Sequence, residues 1–158
     1  MINITRILAD YVANLRTSDM PPEVLERAKH LAIDLIGSIV RAGQEADSTP
    51  SILGMVRSLG LDATGASTVF GFSRGYIPAT AALLNGALGH SLDFDDTHAD
   101  GSLHPSAPVV PAAFAAAEMV GASGEQLLTA IVAGYEVCCR LGNALDPTAH
   151  YARGFHPT

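Results

Sequence analysis

The feature that most constrains the fold is a stripe of apolar residues at helical spacing early in the chain. Its members recur every three or four positions: Val24, Leu25, Ala28, Leu31, Ala32, Leu35, Ile36 and Ile39. The charged neighbours fall on the opposite side: Glu23, Glu26, Arg27 and Lys29. This pattern predicts a long amphipathic α-helix with one face in a core. Pro21-Pro22 is suited to begin that helix and Gly43 to end it.

Helical spacing continues along most of the chain. We expect further helices at 4–17, 50–58, 78–91, 112–120 and 124–144. Ser123-Gly-Glu-Gln126 fits a capping box at the start of the last one. Gly86 and Gly89 would cost helix stability unless they let a neighbouring backbone approach closely. Ser67-Thr-Val-Phe-Gly71 indicates a short strand or an extended connector. The predicted fold class is therefore all-α, with its topology open.

Charge and cysteine usage exclude several classes of protein. The net charge is −7 and the chain has a single lysine, Lys29. It therefore lacks the basic surface that binds the phosphates of a nucleic acid. No apolar run is long and clean enough to span a bilayer, and the N-terminus lacks the order of a signal peptide. Cys138 and Cys139 are adjacent inside a helical pattern, which favours two buried thiols over a disulfide. These features predict a cytoplasmic protein.

Charged residues make up 16% of the chain, against about 25% in typical soluble domains. Such a surface favours coverage by another domain or subunit through a large apolar interface. The C-terminal segment 150–158 is rich in functional side chains, with two histidines and an arginine. A natural domain end is usually less loaded. We therefore expect residues 1–158 to form one domain that is cut from a longer protein.

The stretch from His90 to His104 is the leading candidate for a site. It contains His90, His98 and His104 with Asp93, Asp95, Asp96 and Asp100, between two apolar segments. Titratable groups crowded in this way are costly to bury without a purpose. Histidine and carboxylate together suit Zn, Mn or Fe, but the spacing matches neither H-E-x-x-H nor an EF-hand. Acid–base chemistry fits better, because histidine exchanges protons near neutral pH.

The position of each candidate gives further expectations. His104 and His156 each precede a proline, so both are expected on irregular segments, where site residues often lie. Asp93 and Thr97 lie four residues apart and would share a face if the preceding helix continued through them. Asp95 and Asp100 are better interpreted as structural carboxylates that cap a helix or pair with arginine.

Four segments, in order, resemble the N-terminal helical domain of the MmgE/PrpD family. They are Asn85-Gly-Ala-Leu-Gly-His-Ser-Leu-Asp-Phe-Asp-Asp-Thr-His98, His104-Pro-Ser-Ala-Pro-Val-Val-Pro111, Gly134-Tyr-Glu-Val and Gly154-Phe-His-Pro-Thr158. Members include 2-methylcitrate dehydratase, cis-aconitate decarboxylase and iminodisuccinate epimerase. The resemblance implies acid–base chemistry next to a carboxylate of a small di- or tricarboxylate, without a metal or organic cofactor, in a homodimer.

By motif position, the resemblance assigns the family's active-site roles to Asp93, Thr97, His104 and His156. The two histidines would be the acid–base residues, while Asp93 and Thr97 would orient the substrate or a histidine. His98 and Arg153 are the candidate substrate-binding residues.

Length is where the chain departs from the family. Family enzymes carry a second, α+β domain that contributes lysine and tyrosine side chains to the site. A polycarboxylate needs cationic partners, and only Arg153 and Arg140 lie near the motifs. The isolated chain is therefore expected to have little or no activity. Two alternatives stay open: a non-catalytic helical dimerisation module, and a metal-dependent hydrolase using the histidine and aspartate cluster.

Overall fold

The computed structural model describes residues 3–155. Within them, the chain forms α1 (Ile4–Asn14), α2 (Pro22–Glu45), α3 (Thr49–Ser58), β1 (Thr64–Ser67), α4 (Pro78–His90), α5 (Ser106–Val120), α6 (Gly124–Asn143) and α7 (Pro147–Ala152). Two 3-10 turns lie at Thr17–Asp19 and Ala99–Gly101. The architecture confirms the all-α prediction, because β1 is one short extended segment and not part of a sheet.

Helix α2 lies at the centre of the core and packs against α4, α5 and α6. Its predicted stripe is confirmed by four buried members: Ala28, Ala32, Leu35 and Ile39. The facing helices add fully buried side chains, among them Leu84, Leu88, Val110 and Ile131. Burying a side chain of this size contributes about 1.5–3 kcal/mol each. The shared core fixes the ends of α4, α5 and α6 around the candidate site.

Gly43 does not end α2, and that prediction is wrong. The helix continues to Glu45, and Ala46 takes up the extended backbone that ends it. A Cβ on Gly43 would lie 3.3 Å from the ring of Phe72. The glycine is therefore a contact point for an aromatic side chain instead of a helix stop.

Helix α5 begins at Ser106, six residues before the predicted start, and runs through Pro111. A proline at this position lacks the N–H that would bond the carbonyl of Ala107, four residues earlier. That carbonyl faces α4, where a Cβ on Gly86 would lie 3.0 Å from it. A Cβ on Gly89 would lie 2.8 Å from Cδ1 of Leu35. Both glycines of α4 thus allow close packing, as predicted.

The connector between α3 and α4 is anchored by one buried side chain. Asn85 on α4 accepts from the Phe70 backbone N–H at 3.0 Å and donates to the Thr68 carbonyl at 2.8 Å. The strand forms at Thr64–Ser67, just before the predicted 67–71, and pairs through bridges with Tyr76. The chain between the core helices is thereby held extended.

Helix α1 contributes no buried residue to the core. Its apolar side chains Ile4, Ile7 and Tyr11 are exposed. The helix ends at Asn14, three residues before the predicted end. Among the described residues, no helix is long and apolar enough to cross a membrane.

Candidate active site

The site loop, residues 91–105, begins where α4 ends at His90. The Asp93 N–H donates to the His90 carbonyl at 3.0 Å, and Asp93 has a left-handed backbone with φ 56°. Aspartate tolerates this conformation better than most residues, but a helix cannot continue through it. The condition under which Asp93 and Thr97 would share a helical face is therefore not met.

Asp95 places a fully buried carboxylate beside two imidazoles. Its side chain is 0% exposed, and its oxygens lie 3.0 and 3.2 Å from Nδ1 of His90. The same carboxylate lies 3.7 Å from Nδ1 of His104. The two imidazole rings are 4.8 Å apart, edge to face at 61°. The partners of Asp95 are thus two histidines, and not the arginine or the helix end that the sequence suggested.

His104 has a buried side and an open side. Nδ1 is buried and faces Asp95, whereas Nε2 lies 4.0 Å from Oδ1 of Asp93. The Asp93 side chain is 78% exposed, so the open side of the ring leads outward. His104 lies on irregular backbone just before α5, as predicted. The structure therefore brings together two of the predicted site residues, Asp93 and His104.

The cluster formed by His90, Asp93, Asp95 and His104 has the donor types that bind transition metals. One ligand atom from each lies within 4.8 Å of the others. A tetrahedral zinc ion with bonds of about 2.0–2.2 Å would hold its ligands roughly 3.3 Å apart. The cluster would have to contract to bind such an ion.

Asp96 links the site loop to two helices. Its Oδ1 accepts from the Ser106 backbone N–H at 3.0 Å, which satisfies a donor at the start of α5. Its Oδ2 accepts from the Tyr135 hydroxyl at 2.8 Å, and that hydroxyl also contacts the Ser106 hydroxyl. Burial is the main cause that raises the pKa of Tyr135 well above its ordinary value, and the neighbouring Asp96 raises it further. The hydrogen bond with Ser106 opposes this shift. Tyr135 therefore keeps its proton and donates.

Thr97 and His98 line a cavity that Asp96 and Pro105 also reach. This cavity of about 520 Å³ lies between α2 and α6 and is also lined by Arg27, His30 and Asp34. The described lining of that cavity includes neither Asp93 nor His104.

The hairpin that follows is short and fixed. The backbones of His98 and Leu103 exchange hydrogen bonds at 2.8 and 3.3 Å. Nε2 of His98 also lies 2.9 Å from the side-chain oxygen of Asn143 on α6. One end of this loop is therefore fastened to α6.

Arg27 is a cation that the sequence did not reveal. The periodicity places it on the solvent side of α2, yet it lines the cavity that holds Thr97 and His98. It forms no ion pair with any residue that the structure describes. Arg140, the other arginine near the motifs, already pairs with Glu136 at 2.6 Å. Only the three-dimensional packing of α2 against α6 identifies Arg27.

The two C-terminal candidates have different outcomes. Arg153 lines a surface pocket of about 300 Å³ whose lining lies entirely within 145–155, including His150 and Phe155. The structure therefore does not bring Arg153 to the histidine cluster. His156 lies outside the described residues. Cys138 and Cys139 are unbridged and partly buried, and burial raises the pKa of both thiols.

Comparisons with known proteins agree with the motif pattern. The MmgE/PrpD N-terminal domain model matches residues 6–158. The chain is 34% identical to the cis-aconitate decarboxylase-like protein oryM of Aspergillus oryzae over 98% of this chain and 33% of that protein. It is 30% identical to cis-aconitate decarboxylase of Aspergillus terreus (97% and 32%) and 31% identical to that of Homo sapiens (98% and 32%). The chain spans about a third of the length of these relatives.

Proposed function

The chain belongs to the MmgE/PrpD family, and we propose that it supplies the acid–base part of a lyase acting on a small di- or tricarboxylate. The observation that supports this most directly is the placement of His104. Its buried Nδ1 faces Asp95 while Nε2 faces the exposed Asp93. An imidazole held in this way can exchange a proton on its open side with a bound substrate. Two of the relatives named above are cis-aconitate decarboxylases, which makes cis-aconitate the first substrate to test.

In a decarboxylation, the carbon–carbon bond to one carboxylate breaks and carbon dioxide leaves. The electron pair left behind is delocalised into the neighbouring unsaturated carboxylate, and an acid then returns a proton to carbon. We assign that proton transfer to Nε2 of His104 in its imidazolium form, which becomes the neutral Nδ1–H form when the proton leaves, with Asp93 orienting the ring or the substrate. A positioned general acid contributes typically 10²- to 10⁴-fold to the rate.

The charge around His104 supports the need for a second half of the site. Asp93 and Asp95 both lie in the cluster with His104, and their negative charges would repel a polyanion at close range. Carboxylate substrates are bound through charge-assisted hydrogen bonds from arginine or lysine. Arg27 lines a cavity with Thr97 whose described lining does not include His104, so it is not placed to supply that contact there. We therefore propose that the isolated chain has little activity and that further cations come from sequence outside it.

A chimera tests this proposal. The chain is joined to the residues of Aspergillus terreus cis-aconitate decarboxylase that follow its matched third, and carbon dioxide release from cis-aconitate is measured. We expect turnover by the chimera, a loss of at least about 100-fold in His104→Gln, and none by the chain alone. Asp100→Asn, an exposed change in the same loop, is the matched control. Full activity in His104→Gln, or turnover by the chain alone, would contradict the proposal.

A metal-dependent hydrolase is the second candidate, because four donor atoms of the histidine and aspartate cluster lie within 4.8 Å. Metal analysis of the purified chain after incubation with Zn²⁺ or Mn²⁺ separates the two. Stoichiometric metal that is lost in His90→Gln and Asp95→Asn would favour the hydrolase. Its absence would leave the acid–base lyase.

We also propose that a second copy of the chain covers part of the exposed apolar surface. Ile4 and Ile7 on α1, and Leu141 and Leu145 at the end of α6, are more than half exposed. Sedimentation at micromolar concentration is expected to give a dimer. A well-behaved monomer would argue against this assembly and against a dimerisation module as the chain's function.

A further inference from the structure

We propose that Asp95 is the positioning residue of this site. It fixes the imidazoles of His90 and His104 so that His104 carries its proton on Nδ1 and presents Nε2 to the substrate. The catalytic role of Asp95 rests on the function proposed above, whereas the tautomer of His104 can be measured in the chain alone.

The burial of Asp95 is the first argument. A carboxylate with a 0% exposed side chain is costly to keep ionised unless donors surround it. Within the described residues, no lysine or arginine lies within ion-pair distance of Asp95, and its recorded charge partners are His90 and His104. The hydrogen bond at 3.0 Å requires the proton of His90 to lie on Nδ1, because the ionised carboxylate can only accept.

The orientation of His104 is the second argument. Its Nδ1 is buried and 3.7 Å from the Asp95 carboxylate, while Nε2 is directed toward Asp93 at 4.0 Å. A proton on Nδ1 is attracted to the buried carboxylate, which leaves Nε2 for the substrate side. The separation of 3.7 Å is longer than a formed hydrogen bond, but catalytic hydrogen bonds are often long before substrate binds. Serine protease triads use a buried aspartate in the same way to fix the tautomer of histidine.

His90 adds a packing contribution. Its ring lies edge to face with that of His104, with 4.8 Å between the ring centres. Asp95 holds His90 by a hydrogen bond. Removing the carboxylate therefore takes away the electrostatic partner of His104 and also frees the His90 ring that packs against it. The effect of Asp95→Asn on His104 should therefore exceed that of His90→Gln.

Long-range ¹⁵N–¹H correlation spectra of the ¹⁵N-labelled chain measure the tautomer of each neutral histidine. We expect His104 in the wild-type chain to be the Nδ1–H form. In Asp95→Asn it should shift toward a mixture with the Nε2–H form, while Asp100→Asn leaves it unchanged. Circular dichroism and thermal midpoints establish that each variant folds. An Nε2–H His104 in the wild-type chain overturns the proposal, and it does so even where Asp95→Asn does not fold. An unchanged tautomer in a folded Asp95→Asn chain also overturns it.

The chimera separates this proposal from the proposed function. In an active chimera, Asp95→Asn should lower kcat by at least about tenfold with little change in KM, because the residue does not touch the substrate. An unchanged kcat overturns the positioning role and leaves the lyase standing. If the tautomers are as expected but the chimera has no activity on carboxylates, the proposed lyase function is overturned and the arrangement of Asp95 stands.

Discussion

Replacing Asp96 with alanine should destabilise the protein more than any other single change in the site loop. The carboxylate accepts from the Ser106 N–H at 3.0 Å and from the Tyr135 hydroxyl at 2.8 Å. Hydrogen bonds to charged groups contribute about 1.5–3 kcal/mol each, and loss of a helix cap typically costs about 1 kcal/mol. Tyr135 keeps the Ser106 hydroxyl as a partner, which reduces the loss at that side. We expect about 2–4 kcal/mol in total.

For a chain of this size, each kcal/mol lowers the thermal midpoint by about 2–4 °C, so Asp96→Ala should melt roughly 5–15 °C lower. Thermal and urea unfolding followed by circular dichroism measure the change. Asp100→Ala, exposed in the same loop, is the control and should stay within about 0.5 kcal/mol of the wild type. In a double-mutant cycle with Tyr135→Phe, the coupling energy should be about 0.5–3 kcal/mol. An Asp96→Ala chain as stable as Asp100→Ala would refute the assignment of this network.

Three further changes test the pH dependence, the packing and the capping. Burial raises the pKa of Tyr135 above that of an unfolded tyrosine, so its contribution to stability is complete below about pH 10 and is lost as pH rises further. Urea midpoints should therefore fall between pH 9 and 11, less steeply in Tyr135→Phe, and equal slopes would contradict this. Gly65→Ala should cost more than about 2 kcal/mol, since its Cβ would lie 2.6 Å from the Ile77 nitrogen, whereas Gly37→Ala has nothing within 4 Å and should gain about 0.5–1 kcal/mol. Thermal midpoints that move in the same direction would be inconsistent with the packing. Ser123→Ala should lower the free energy of unfolding by about 1 kcal/mol, because its hydroxyl accepts from Gln126 at 3.2 Å; no change in the urea midpoint would argue against the cap.

The sequence predicted those features of the fold that depend on residues close together in the chain. The apolar stripe of α2 and the capping box before α6 are properties of neighbouring residues, and both were confirmed. The roles of Gly86 and Gly89 also followed, because a glycine inside a helix is costly unless something packs against it. The start of α5 was missed because three prolines mask the helix. Pro105 and Pro108 lie at its cap and in its first turn, which needs no N–H from them, whereas Pro111 lies inside the helix.

Contacts between distant parts of the chain could not be predicted. Asp96 and Tyr135 lie 39 positions apart, and nothing near either residue signals their hydrogen bond. Arg27 is exposed, as the helical period predicts, but the period does not show that Arg27 lines a cavity together with residues of α6. Asp93 has a left-handed backbone, and the described lining of the cavity that holds Thr97 does not include it, although both residues belong to the same motif in the sequence.

The way the site loop is fastened has a consequence for how its specificity can evolve. Asp95 and Asp96 turn inward and hold the loop, whereas Phe94 is 72% exposed and Thr97 is also exposed. Substitutions at positions 94 and 97 therefore change the surface offered to a ligand without removing an anchor. New side chains can therefore be selected at these two positions while Asp95 and Asp96 keep the loop folded. A directed-evolution library confined to these two positions would sample recognition at little cost in folded protein.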